Sequence, residues 1–330
     1  MESNGIDIER SLMVSICCLV YNHEPFLREC FDGFVMQQTT FPIEILVHDD
    51  ASTDNSAEII REYTAKYPDL FKPIYQTENQ YSKGKGYVGM TLNIERAKGK
   101  YIAFCEGDDY WTDMFKLQKQ VEFLEEHEEY VLAFHDAKII DEKGNLITES
   151  KMKLYYTEKM CHVWSEFDLM CAYTPPTPTV IYRQTIISKA LIEMQNAKRL
   201  INGDTIIASI VGKYGKGKFM LDISNSVCRV HTGGVWQMKS ELYKKINSYK
   251  TLTFLESVHK KNEDVKKYIF NLRVNLLKSI IKLYIETGNI KNCFYSYLMI
   301  LYVLFTRFKL KKIYHVSRNV VYWLRVRKKY

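Results

Sequence analysis

The sequence lacks the usual means of crossing a membrane or gripping a structural metal. Its longest apolar stretch, Cys293 to Phe305, would make a helix about 20 Å long at about 1.5 Å per residue, short of the roughly 30 Å hydrocarbon core of a bilayer. The eight cysteines, at 17, 18, 30, 105, 161, 171, 228 and 293, contain no Cys-x-x-Cys pair. That spacing excludes the common zinc sites and predicts reduced thiols. Glycine and proline number only 15 and 7 among 330 residues, and 46% of residues are hydrophobic, which excludes collagen-like and disordered chains. YGKGKF lacks the spacing of a phosphate-cradling loop, and no Gly-x-Ser-x-Gly nucleophile elbow occurs. No nucleic-acid recognition module accompanies the basic residues, so nucleic acid is not an expected partner.

Acidic residues are also scarce toward the end. From Gln237 to Tyr330 there are 21 Lys and Arg against 5 Asp and Glu, whereas the preceding residues carry 25 against 34. This asymmetry predicts two regions with different partners, a catalytic domain over 1–236 and a basic, amphipathic helical region over 237–330. In the second, Val265, Ile269, Leu272, Leu276, Ile280 and Leu283 read as one apolar stripe, with Lys266, Arg273, Lys278 and Lys282 off it. The aromatic-rich run Cys293 to Phe308, followed by Lys-Leu-Lys-Lys, suits an anionic membrane surface; the competing reading is a helical cap on the catalytic domain. A polar, acidic Met1 to Arg10 ahead of a strand-like run predicts no secretory signal. The expected location is therefore cytoplasmic, peripheral on the inner face of the cytoplasmic membrane through the tail.

In the first region, strand-like and helix-like runs alternate. LMVSICCLV, IEILVH, Phe71 to Gln76 and YIAFC read as strands, separated by helical runs at Pro25 to Gln37, AEIIREYTAKY and Val88 to Ala97. Lys116 to Glu129 reads as a helix and Tyr130 to Ile140 as a strand. The alternation calls for right-handed crossovers and a doubly wound α/β sheet, whose ligands bind beyond the carboxyl ends of the strands. Tyr21, the Asp49/Asp50 pair and the Glu106/Asp108/Asp109 cluster all fall at such ends. Clustered carboxylates are costly unless they meet a cation, share a proton or accept hydrogen bonds, so EGDDYW suits Mg²⁺ or Mn²⁺. The plainer reading is a solvated turn with helix-capping aspartates.

VSICCLVYN, ILVHDDASTDNS and AKGKYIAFCEGDDYW, in that order and at those separations, resemble the family 2 glycosyltransferases of the GT-A fold, over about Val14 to Trp236. DDYW followed by KLQKQVEFLE resembles the bacterial non-processive branch. The resemblance implies a GT-A-type doubly wound mixed sheet with flanking helices, followed here by a C-terminal α-helical region. It implies a nucleoside diphosphate sugar donor, Mg²⁺ or Mn²⁺ on the diphosphate, and inverting transfer to a saccharide or lipid-linked saccharide in cell-surface polysaccharide or glycolipid biosynthesis. Carried over by motif, Tyr21 packs on the nucleobase, Asp50 bonds its edge, and Asp49 is structural. Asp109 corresponds to the metal ligand and Asp108 to its neighbour, which reaches ribose or shares the metal. Glu106 stands where the family often has Asp. Asp204, in NGDT, corresponds to the general base, with a plain helix cap as the competing role. His231, in CRVHTGGVW, completes the metal shell or contacts diphosphate, and Arg229 orders the loop or neutralises phosphate. Gly233, Gly234 and Trp236 form a closing loop, and Cys228 replaces the family's tyrosine. Two rivals share parts of this pattern: a nucleotide-sugar-binding scaffold without turnover, and a sugar nucleotidyltransferase, whose basic glycine loop after the first strand is missing.

Overall fold

In the computed structural model, residues 11–84, 88–156, 163–194, 202–234, 236, 239–289, 292, 294 and 296–298 are described. The first strand, β1 (Val14–Val20), is buried at every residue but Leu19, as its run of small and β-branched side chains requires of a strand covered on both faces. Helix α1 (Leu27–Val35) buries Leu27, Cys30, Phe31 and Phe34, one face at helical spacing. It is followed by β2 (Ile43–Asp49), α2 (Ser56–Lys66), β3 (Phe71–Tyr75), α3 (Val88–Arg96) and β4 (Tyr101–Phe104). β2 and β4 flank β1 in parallel, and β3 lies parallel outside β2. The chain thus winds one way from β1 to β3 and then crosses to the other side, leaving a switch point between β1 and β4. Gly99 is needed at the entry to β4, because a Cβ there would stand 2.5 Å from the Ser15 amide nitrogen.

Beyond α4 (Lys116–Glu126), the run expected as one strand from Tyr130 to Ile140 divides into β5 (Tyr130–Phe134) and β6 (Ala137–Asp141). The break has a local cause. The Asp136 carboxylate accepts from its neighbour's Ala137 amide, from the Met152 amide and from the Ser150 hydroxyl, which turns the chain out of one sheet into another. Next come β7 (Leu146–Thr148), α5 (Lys151–Tyr155), β8 (Val163–Trp164), α6 (Glu166–Met170), β9 (Ile181–Arg183), α7 (Gln184–Met194), α8 (Gly203–Val211), β10 (Lys216–Phe219) and β11 (Ser226–Val230). The large sheet has the order β3-β2-β1-β4-β9-β5-β10-β8, with β9 antiparallel to both β4 and β5. A three-stranded sheet, β11-β6-β7, carries β11 parallel to β6. The doubly wound mixed α/β sheet with flanking helices is therefore present.

The chain separates into two compact units, Met1–Gln237 and Met238–Tyr330. In the second, α9 (Glu241–Val258) packs on α10 (Glu263–Glu286). The buried face of α10 includes Val265, Ile269, Phe270, Val274, Leu277, Ile281 and Ile285. Leu272, Leu276 and Leu283, expected in the apolar stripe, are only half-buried. Arg273, expected on the outer face, turns toward α9, where it pairs with Glu256 and donates to the Tyr249 hydroxyl at 2.9 Å. Among the described residues no helix is long and apolar enough to cross a membrane. The basic segment after Leu298 lies outside the described residues.

Candidate functional site

Three loops meet at the carboxyl ends of β1, β2 and β4. The loop after β1 is pinned to the loop after β2: the amides of Asn22, His23 and Glu24 donate to Ser52, Ser56 and Asp54 side chains at 3.0, 2.9 and 3.0 Å, and Asn22 Oδ1 accepts from the Thr53 amide at 2.7 Å. Asn22 adopts φ 55°, a left-handed conformation that Asn tolerates better than most residues. This turn leaves the Tyr21 ring 41% exposed on the rim. Asp49 is buried and accepts from the Ser52 amide and hydroxyl, a structural role. Asp50 accepts from the Gln80 and Tyr81 amides at 2.8 and 3.0 Å, so its carboxylate also organises the loop that follows β3.

After β4 the chain reads Glu106-Gly107-Asp108-Asp109. The two aspartates face different partners. Asp109 is buried and its Oδ1 accepts from the Arg229 amide at 2.9 Å, tying this loop to β11. Asp108 instead turns toward two imidazoles. His231 Nε2 lies 3.0 Å from Asp108 Oδ2, and His23 Nε2 lies 4.0 Å from the same oxygen. Because the Gly233 amide donates to His231 Nδ1 at 3.2 Å, the ring proton sits on Nε2 and is given to Asp108. Among the described residues, Asp108 Oδ1 and His23 Nδ1 are buried without a hydrogen-bond partner. His23, Asp108 and His231 thus offer three ligand atoms within 4.8 Å of one another, in a cluster whose polar capacity the protein does not fill. The sequence assigned the metal to Asp109 and His231; the geometry groups His231 with Asp108, because Asp109 is engaged by the Arg229 amide.

The electrostatics fit a site short of positive charge. Burial, then the charges of Asp108, Asp109 and Asp204, push Glu106 up to about 8. Burial and the neighbouring Asp108 push Asp109 up to about 7. Burial would raise Asp108 too, but His23 and His231 hold it below the usual carboxylate range. Arg229 supplies little free charge: it is buried, its Nη2 lies 2.5 Å from Glu29 Oε2, its Nε donates to the Asp108 carbonyl at 3.3 Å, and its guanidinium lies 4.7 Å from the Phe26 ring centre. In this structure Arg229 orders the loop. Lys151, at the start of α5, donates to Cys228 Sγ at 3.5 Å. Burial disfavours its ammonium, but Cys228, Asp109 and Asp204 around it more than offset that and its pKa is raised. As burial keeps Cys228 a neutral thiol, the two carboxylates are the physical cause.

Asp204 lies in the first turn of α8, whose N-cap position belongs to Asn202. Its Oδ1 accepts locally, from the Thr205 amide at 2.7 Å, and the residue is exposed although the surrounding protein crowds its carboxylate enough to raise its pKa. Gly233 and Gly234 form a turn closed by the Gly234 amide on the His231 carbonyl, and Trp236 is half-buried. Sequence reasoning missed His23 and Lys151. His23 was within reach of the strand-end rule, two residues beyond Tyr21; nothing around Lys151 in the sequence marked it.

Residues 15–174 match the family described as glycosyl transferase family 2. This part of the chain is similar to that family. Among curated relatives, an uncharacterised protein of Mycobacterium tuberculosis is 45% identical over 135 residues, covering 40% of this chain and 37% of its own. An uncharacterised glycosyltransferase of Nostoc is 30% identical over 179 residues, covering 54% of this chain and 53% of its own. The chain thus spans about half or less of these relatives. Two solved glycosyltransferase structures share the fold. Residues 1–349 of TarS from Staphylococcus aureus superpose with a TM-score of 0.56 at 18% identity, over 81% of this chain and 71% of that one. A mannosyltransferase of Pyrobaculum calidifontis, in complex with GDP-Man and Mn²⁺, gives 0.54 at 14% identity, over 94% and 84%. The chain has the GT-A fold of these glycosyltransferases.

Proposed function

We propose that this chain is an inverting, metal-dependent glycosyltransferase that moves a sugar from a nucleoside diphosphate sugar to a hydroxyl acceptor in cell-surface polysaccharide or glycolipid biosynthesis. The observation that carries the reading is the convergence of Asp108 and His231 on one spot at the switch-point rim, where the exposed Tyr21 ring also lies. Tyr21 offers the nucleobase a flat face, and Asp50 offers its edge an acceptor. Mg²⁺ or Mn²⁺ held by Asp108 and His231 would supply positive charge to the leaving diphosphate, which is where charge grows during transfer. Asp109 and Arg229 hold the two loops that carry those ligands.

In the reaction, the acceptor oxygen forms a bond to the anomeric carbon as the bond from that carbon to the diphosphate oxygen breaks. The bonding pair leaves with the nucleoside diphosphate, and configuration inverts. Asp204 takes the acceptor proton. Its raised pKa brings it closer to the neutral range in which a general base is efficient. The turn at Gly233 and Gly234 closes over the reacting groups and excludes water. The acceptor is a saccharide or lipid-linked saccharide, and the basic tail holds the enzyme against an anionic membrane surface. The first donors to try are UDP-GlcNAc and GDP-Man, since TarS was solved in complex with UDP-GlcNAc and the mannosyltransferase with GDP-Man.

The test is thermal stabilisation by UDP, GDP and their sugars with Mn²⁺, Mg²⁺ or chelator, followed by a transfer assay with the donor that stabilises. Metal-dependent stabilisation that disappears in Asp108→Ala, with transfer that disappears in Asp204→Asn, supports the reading. Stabilisation by no nucleotide, with or without metal, would sink it.

A further inference from the structure

We propose that His23, on the loop after β1, is a third metal ligand beside Asp108 and His231, and that this set favours transition-metal dications over Mg²⁺. It rests on the donor-site reading above for what the metal serves, but the ligand set is argued from geometry alone. His23 is held firmly. Its amide donates to Ser56 Oγ at 2.9 Å, and its ring stands 6.0 Å from the His231 ring at 82°. Its Nδ1 fits against Gly107 so closely that a Cβ there would lie 2.7 Å away. That contact explains why glycine separates Glu106 from Asp108 on this loop. The ring is thus aimed at Asp108 before any ion arrives, with no hydrogen bond to the buried Nδ1 among the described residues.

The span is right for one ion. Ligands about 2.1 Å from a metal stand at most about 4.2 Å apart, so three atoms within 4.8 Å close on a single ion with shifts of a few tenths of an ångström. The donor types decide which ion. Two imidazole nitrogens and one carboxylate oxygen suit first-row transition dications, whereas Mg²⁺ prefers oxygen ligands and keeps its waters. Affinity should therefore rise from Mg²⁺ to Mn²⁺ to Co²⁺, following the general order for such ligands. Ligation through His231 Nε2 also requires that ring to move its proton to Nδ1, where the Gly233 amide now donates. Ion binding is thereby coupled to a shift of the glycine turn.

The experiment uses the full chain with Mn²⁺, Co²⁺ and Mg²⁺, first alone and then with UDP. Titration calorimetry gives the affinities, and pulsed electron spin resonance of bound Mn²⁺ counts coordinated imidazole nitrogens. The wild type is expected to show two imidazoles and at least 10-fold preference for Mn²⁺ over Mg²⁺. His23→Ala is expected to show one imidazole, at least 10-fold weaker Mn²⁺ binding and nearly unchanged Mg²⁺ binding; His23→Gln, which keeps the volume against Gly107, should behave likewise. Melting in chelator verifies that both variants fold. Equal Mn²⁺ affinity in wild type and variants, one imidazole or none in the wild type, or no preference over Mg²⁺ would overturn the proposal. Two imidazoles without sugar transfer would sink the transferase reading and leave this one standing.

Discussion

Lys116 opens α4 with its side chain fully buried, against the turn that carries the carboxylate cluster. Its Nζ donates to Gln120 Oε1 at 2.9 Å and lies 4.1 Å from the ring centre of Trp111, whose indole N–H donates to the Pro178 carbonyl at 2.6 Å. Burial pushes the ammonium down from 10.5 to about 7. At about 1.4 kcal/mol per tenfold change, a fall of that size caps the cost of the buried charge at roughly 5 kcal/mol. The Trp111 face and the Gln120 oxygen favour the charged form by about 2 kcal/mol each, so about 1–3 kcal/mol is the expected cost. The sign follows from linkage. Between about pH 7 and 10.5 the unfolded chain binds this proton and the folded chain does not, so stability rises with pH across that window and is lost as pH falls through about 7. Lys116→Met keeps the stem and removes the charge. Its stability relative to wild type should be greatest at pH 7 and shrink by about 1–3 kcal/mol by pH 10, measured by urea unfolding followed by tryptophan fluorescence. The absolute difference also contains the unpaired Gln120 oxygen, so the pH dependence is the decisive quantity. A difference that stays flat from pH 7 to 10 would refute the reasoning.

Raised carboxylates give the opposite slope. Glu106 and Asp109 lend stability that is present below about pH 4 and lost as pH rises through about 7 and 8; melting temperatures in chelator should fall over that range, and Mn²⁺ should flatten the trend. Asp204→Asn should lower transfer by roughly 100-fold or more while nucleotide still stabilises the fold, as calorimetry and a transfer assay would report. Gly107→Ala drives a methyl into His23 Nδ1 and against Leu27 and Val20, and should cost about 1–3 kcal/mol in denaturant unfolding and weaken Mn²⁺ binding together. Glu29→Gln removes the partner of the Arg229 guanidinium. As Glu29 itself is half-exposed, a loss of only about 0.5–1 kcal/mol is expected. Vesicle flotation of the full chain tests the tail: binding to anionic but not neutral lipid is expected, and none to either would remove the membrane from the scheme.

The strands and the rim were legible because their signal is local. VSICCLV and IEILVHD bury nearly every side chain, so unbroken apolar runs mark them, and the polar strings that end them mark the ligand-facing edge. What lies between the ends of one segment and the side chains of another was not legible. The division of Tyr130 to Ile140 between two sheets depends on Asp136 meeting Ser150 and Met152, residues later in the chain. The buried face of α10 depends on where α9 leans against it, which turns Arg273 inward and leaves Leu272, Leu276 and Leu283 at the margin. The same holds at the site. Sequence order alone determined that this protein is an alternating α/β chain with carboxylates at the strand ends, since periodicity and turn chemistry act within a few residues. Only the tertiary structure decided which aspartate faces the imidazoles. That choice is made by the Arg229 amide, 120 residues away along the chain, taking Asp109 and leaving Asp108 to His231 and His23.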